Sequence, residues 1–184
     1  MQLRNSPERY GAAPKLLHWL TVVLVVLAWS LGTFGDDLPR GAARAAGLLI
    51  HISAGVTIRA LLAIRIAWRV VDPPPPPIAT PLGNLLLVIG RLAHFALYAL
   101  LAATPAVGIL VQFARGDALP LYGLVEIASP WVRDRAFAGS IKEIHETLAN
   151  VLIILAVLHA VAAFVHHWMF RDRTLARMLP GTAR

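Results

Sequence analysis

Apolar residues in this chain gather into four long stretches, about 16–34, 46–68, 85–113 and 141–170. A hydrocarbon layer about 30 Å thick takes roughly 20 apolar residues per helical crossing, so each stretch is long enough to span it. The pattern predicts an all-α membrane protein, a four-transmembrane-helix bundle, with residues 1–184 forming a single domain. The connections between stretches are polar or turn-forming: Gly35-Asp36-Asp37-Leu38-Pro39, the run Pro73 to Pro77, and roughly Ala114 to Ser140. Five consecutive prolines lack backbone donors and make a stiff, extended connector. Only the third connection is long enough to fold over a helix end.

Composition agrees with the pattern. The 184 residues are 58% hydrophobic and 15% charged, with a mean hydropathy of +0.66, which is too apolar for an ordinary soluble domain. The net charge of +7 comes from basic residues flanking the apolar stretches, so it points to membrane topology rather than to nucleic acid. Arg4, Arg9, Lys15, Arg65, Arg69, Arg91, Arg171, Arg173, Arg177 and Arg184 fall on one side. Arg40, Arg44, Arg115, Arg133, Arg135 and Lys142 fall on the other, together with seven of the ten acidic residues. The positive-inside rule then places both termini in the cytoplasm. The first stretch follows Arg4, Arg9 and Lys15 like a signal peptide, but it is too long for one and no cleavage site follows, so it is expected to stay as a span. The chain has no cysteine, which excludes disulfides, iron–sulfur clusters, thiolate zinc and covalently attached haem.

Candidate chemistry lies in the seven histidines, at positions 18, 51, 94, 145, 159, 166 and 167. An imidazole inside a bilayer is costly unless partnered, by an interhelical hydrogen bond or by a metal. His145 and His159 are 14 residues apart, which brings them to within roughly 40° of one helix face and about 21 Å apart along it. Two stacked metal centres fit that spacing. Ala149, Leu152, Ala156 and Ala163 keep the face slim, as a flat macrocycle or close helix packing requires. By depth, His51 matches His145 and His18 matches His159. His94 also lies at a plausible inner height, on a stripe with Arg91 and Tyr98. We take His18 as the partner of His159 and leave His94 as a quinone-contact or hydrogen-bonding residue. His166 and His167 lie about 31 Å or more below His145, as interfacial polar residues.

Arg65 and Arg69 follow His51 at 14 and 18 residues, nearly on its face. Arg65 suits a haem propionate or an anionic lipid, and Arg69 a snorkelling anchor. Arg59 stands near mid-membrane and demands a partner that spacing does not name.

These residues resemble the bacterial cytochrome b561 family, and its superoxide oxidase-like branch in particular. The resemblance rests on R-Y-G-A-A-P-K-L-L-H-W-L, I-H-I-S-A-G, R-I-A-W-R, H-F-A-L-Y-A-L-L-A-A-T-P-A-V-G, K-E-I-H-E-T-L-A-N, L-H-A-V-A-A-F-V-H-H and R-D-R-T-L-A-R-M-L-P, in order along nearly the whole chain. It implies a multi-pass protein of the bacterial inner membrane holding two haem b groups, with axial pairs His51/His145 and His18/His159. It also implies ubiquinone as substrate, near Lys15 and His94 at the cytoplasmic end. Arg59 departs from the family pattern, where an apolar residue is usual. The branch resemblance implies superoxide oxidation at the periplasmic face. Arg115, Arg133, Arg135 and Lys142 suit attraction of that anion, although Asp117, Glu126 and Asp134 nearly balance them. The rival readings are a haem b anchor relaying electrons between quinone and a larger dehydrogenase or hydrogenase, and a haem-free transporter of protons or metal.

Overall fold

The computed structural model describes residues 2–78 and 83–180. Four long helices form it: α1 Ala12–Phe34, α2 Ala42–Val71, α3 Asn84–Ala114 and α4 Arg135–Trp168. All four are long and apolar enough to cross a membrane. Each helix starts before its predicted apolar span, by one residue in α3 and by four to six in the others. α4 shows this best: it begins at Arg135 because the Asp134 carboxylate accepts from the Phe137 amide at 3.0 Å.

The helices pack as two close pairs, α1 with α2 and α3 with α4, with a looser cleft between the pairs. At mid-height the cleft is closed by Val25, Ile58, Leu62, Leu101 and Leu152, which form the buried core. Four of these stand seven residues, or two turns, beyond a histidine: Val25 after His18, Ile58 after His51, Leu101 after His94 and Leu152 after His145. A single apolar layer therefore separates two histidine layers. Pro105 sits inside α3, depriving the Leu101 carbonyl of its helical donor.

The connection after α3 holds an element that the hydrophobic pattern does not announce. Strands β1 Leu119–Leu121 and β2 Val125–Ile127 pair antiparallel. Tyr122 and Gly123 both have positive φ, and the Leu124 amide donates to the Leu121 carbonyl at 3.0 Å, which makes a type I′ turn. Tyr-Gly is not the usual signature for this turn. Tertiary contact holds it, with the Tyr122 hydroxyl 3.1 Å from Thr57 Oγ1 on α2.

At the end of the bundle that carries the segments before α1 and after α4, called the inner end as a label only, with the opposite end the outer, the chain is laced together. Asn5 bonds the Asp72 carboxylate and the Pro73 carbonyl, anchoring the start of the proline run, and Gly11 lies so close to the Leu3 and Arg4 carbonyls that no Cβ would fit. The segment after α4 turns back beneath the bundle, where Lys15 and Trp19 donate to the carbonyls of Leu179 and Met178 at 2.9 and 2.8 Å. Its hinge is a 2.6 Å contact between His166 Nδ1 and the Asp172 carboxylate, which also accepts from the Thr174 amide.

Burial alone would raise the Asp172 carboxyl, but the bonds from His166 and Thr174 outweigh it and hold the group below the ordinary carboxylate range. A carboxyl depressed in the folded state contributes stability above its unfolded pKa and loses it as pH falls through the folded one. Proteolysis of the segment 169–180 is therefore expected to stay slow at neutral pH and to accelerate only below the usual carboxylate titration. In Asp172→Asn it is already fast at neutral pH.

Candidate functional site

In the outer half of the bundle, α2 and α4 face each other across the cleft. The rings of His51 and His145 lie 6.0 Å apart, centroid to centroid, with planes at 84°. His51 Nδ1 is 2.8 Å from the Ala28 carbonyl of α1, and His145 Nδ1 is 2.9 Å from the Thr104 carbonyl of α3. A carbonyl only accepts, so each Nδ1 carries the proton and each Nε2 keeps a free lone pair, the form a metal requires.

The two rings are seated in the same way. Helical carbonyls are normally screened by the side chain one turn on, but here that position is glycine in both cases: Gly32 after Ala28 and Gly108 after Thr104. A Cβ on Gly32 would stand 3.0 Å from His51 Cε1, and one on Gly108 would stand 2.9 Å from His145 Cε1. These glycines escaped the sequence reading. Their detectable signal is a helical glycine at the height of each outer histidine.

Around the pair opens a cavity of about 520 Å³ touched by all four helices, within the roughly 300–1,000 Å³ range of cofactor pockets. Two metal–imidazole bonds of about 2 Å, plus ~1.2 Å from each nitrogen to its ring centre, put bis-imidazole centroids roughly 6 Å apart. The His51/His145 separation fits. Two polar atoms of the cavity wall, Thr104 Oγ1 and Arg44 Nε, are buried with no hydrogen-bond partner, as expected where a polar-edged macrocycle completes the site. The residues present thus suit haem.

The inner layer is arranged differently. His159 has the ring of His94, on the closely packed α3, at a centroid distance of 5.0 Å, about 1 Å nearer than a metal between two imidazoles permits. His94 Nδ1 is spent on the Gly90 carbonyl of its own helix at 2.6 Å. His18 lies within Coulombic reach of both His159 and His94. Its Nδ1 accepts from Arg65 at 3.2 Å, and the Arg65 guanidinium also sits 5.5 Å from the centre of the Tyr98 ring. The structure thus gathers His18, His94, His159 and Arg65, with His94 rather than His18 against His159. Lys15 lies at the same end, bonded to Leu179. Arg59 is exposed on α2 and donates at 3.4 Å to the Ala102 carbonyl of α3. His166 and His167 lie at the inner end of α4, outside both layers.

A second, smaller pocket of about 230 Å³ lies at the outer end, lined by Arg115, Arg133, Arg135 and Lys142 with one carboxylate, Asp117. Arg115 and Lys142 also line the larger cavity, so the two adjoin.

The prokaryotic cytochrome b561 family profile matches residues 9–181. The chain belongs to this family. It is 33% identical to cytochrome b561 homolog 2 of Escherichia coli over 97% of this chain and 95% of that one. It is 31% identical to the probable superoxide oxidase CybB of Yersinia pestis, over 94% and 97% of the two chains. A cytochrome b562 of Cereibacter sphaeroides is 27% identical over 89% and 90%. Family membership and four spans make this chain a haem b-binding electron-transfer protein, multi-pass in the bacterial inner membrane.

In Gly108→Ala the new methyl expels the His145 ring from the Thr104 carbonyl, and the purified cytochrome is expected to lose bound haem. Gly90→Ala, whose Cβ meets nothing within 4 Å, keeps the native haem content. The reduced-minus-oxidised spectrum per unit protein measures both.

Proposed function

We propose that this cytochrome holds two haem b groups and oxidises superoxide at the periplasmic face while reducing ubiquinone at the cytoplasmic end, with both termini in the cytoplasm. The observation that carries the reading is the outer pair. His51 and His145 stand at bis-imidazole separation beside an open cavity, each with its proton committed to a backbone carbonyl. When bound, haem supplies one-electron chemistry at iron.

For the inner group we assign His18 and His159. His18 reaches from α1 across the same cleft that His51 crosses from α2, whereas the His94 and His159 rings are already too close for a metal. Were His18 to hold the group through Nε2, its proton would sit on Nδ1, the hydrogen bond from Arg65 would be given up, and the Arg65 guanidinium would be free to meet a propionate. Between the two layers the apolar core excludes water and keeps the dielectric low.

The small outer pocket is lined by three arginines outside any ion pair among the described residues, by Lys142 paired with Glu146 and by one carboxylate, Asp117, and this cationic surplus supports superoxide as donor. Asp134, counted against them in sequence, is occupied in capping α4, and Glu126 does not line the pocket. Two superoxide anions each give up one electron and leave as dioxygen; ubiquinone takes those two electrons and two protons to become ubiquinol. At the inner end we assign the quinone contacts to Lys15, whose ammonium has N–H groups beyond the one given to Leu179 and can donate to a quinone carbonyl, and to His94, whose Nδ1–H is given to Gly90 and whose bare Nε2 can accept from a quinol hydroxyl.

Purified protein is expected to show a b-type α-band on reduction and two haems per chain by haemochrome assay; one haem, or none, refutes the di-haem assignment. His18→Ala should lose one haem and His94→Ala neither. With superoxide and a soluble ubiquinone, consumption of superoxide should depend on quinone. It should fall several-fold, with a weaker salt dependence, in Arg133→Gln/Arg135→Gln. No quinone-dependent loss of superoxide in the native protein removes the oxidase reading.

A further inference from the structure

The wall of the large outer cavity carries three cations, Arg44, Arg115 and Lys142, and two carboxylates, Asp36 and Glu146. Lys142 is paired with Glu146 at 3.0 Å. Asp36 meets Arg44 through its backbone carbonyl, and neither Arg44 nor Arg115 makes an ion pair among the described residues. Arg44 is held in place: Nη2 donates to the carbonyls of Asp36 and Leu38, the latter at 3.0 Å, while Nε is buried with no partner. A guanidinium fixed by one nitrogen, with another desolvated and unanswered at a cavity wall, is a costly arrangement unless an anionic acceptor enters the cavity. Haem b brings two carboxylates, and two unpaired arginines line this cavity.

We infer that Arg44 and Arg115 clamp the two propionates of the outer haem, the one held by His51 and His145. This rests on the proposed di-haem reading. The clamp has an electrostatic consequence: a cation next to the macrocycle favours the reduced iron, so the pair holds the outer potential up. Arg115 lines both the large cavity and the small cationic pocket, so the same guanidinium would serve a propionate on one side and an anion held in the small pocket on the other.

The test is a spectroelectrochemical titration of the purified, haem-loaded protein and of Arg44→Gln, Arg115→Gln, Arg44→Lys and Arg40→Gln. The outer haem is identified as the signal missing from His145→Ala. Each glutamine variant of the clamp should shift the redox equilibrium of that haem roughly tenfold toward the oxidised form, about 59 mV for one electron, and leave the inner haem unmoved. Arg44→Lys should restore part of the shift, and Arg40→Gln, on an exposed turn outside both cavities, should change neither haem. Selective loss of the outer haem in Arg44→Gln supports the clamp equally. Native potentials in both clamp variants, or equal shifts in both haems, overturn it. If the native protein holds no outer haem, the di-haem reading fails first, and the potentials are not reached.

Discussion

The structure turns on what an imidazole needs inside a bilayer. A polar ring at membrane depth costs about 2 kcal/mol or more when left unanswered, and each ring has two nitrogens to answer. At the outer pair one nitrogen is satisfied by a helical carbonyl and the other is reserved. That division is possible only because Gly32 and Gly108 leave the Ala28 and Thr104 carbonyls within reach. All four helices are thereby recruited: α2 and α4 supply the rings, and α1 and α3 supply the carbonyls that orient them.

The same requirement explains why the two layers differ. The outer histidines span a cleft, keep their separation and enclose a cavity. The inner histidines share a tighter region, where His94 leans on its own helix and His18 takes a hydrogen bond from Arg65. Between the layers, Val25, Ile58, Leu101 and Leu152 follow the histidines by two helical turns. The apolar seam that packs the bundle is therefore also the dry partition between its two polar levels.

Charge is distributed by a similar economy. Lys142 is neutralised by Glu146, Asp134 is used as a cap, and Asp172 is used to fold back the chain after α4. Of the side chains lining the two adjoining outer cavities and outside any ion pair among the described residues, four are arginines, Arg44, Arg115, Arg133 and Arg135, and two are carboxylates, Asp36 and Asp117. Counting charges along the chain suggested near-neutrality there; the sites that the charges occupy alter that balance.

Several features were fully determined by the sequence. The lengths of the apolar stretches define four crossings, and the interval of 14 between His145 and His159 defines two levels on one face, because helix rise and turn angle are local constants. The facing of His51 and His145 also followed from depth alone. Tertiary structure decided the rest. His94 rather than His18 sits against His159 because rotation of α3 about its axis, set by close packing on α4, is invisible to spacing. The seats provided by Gly32 and Gly108, the carbonyl partner of Arg59 and the unanswered Nε of Arg44 depend on backbone groups, which every residue carries and no side-chain pattern reveals. The hairpin from Leu119 to Ile127 escaped for a related reason: its Tyr-Gly turn is held by Thr57, some 65 residues away along the chain.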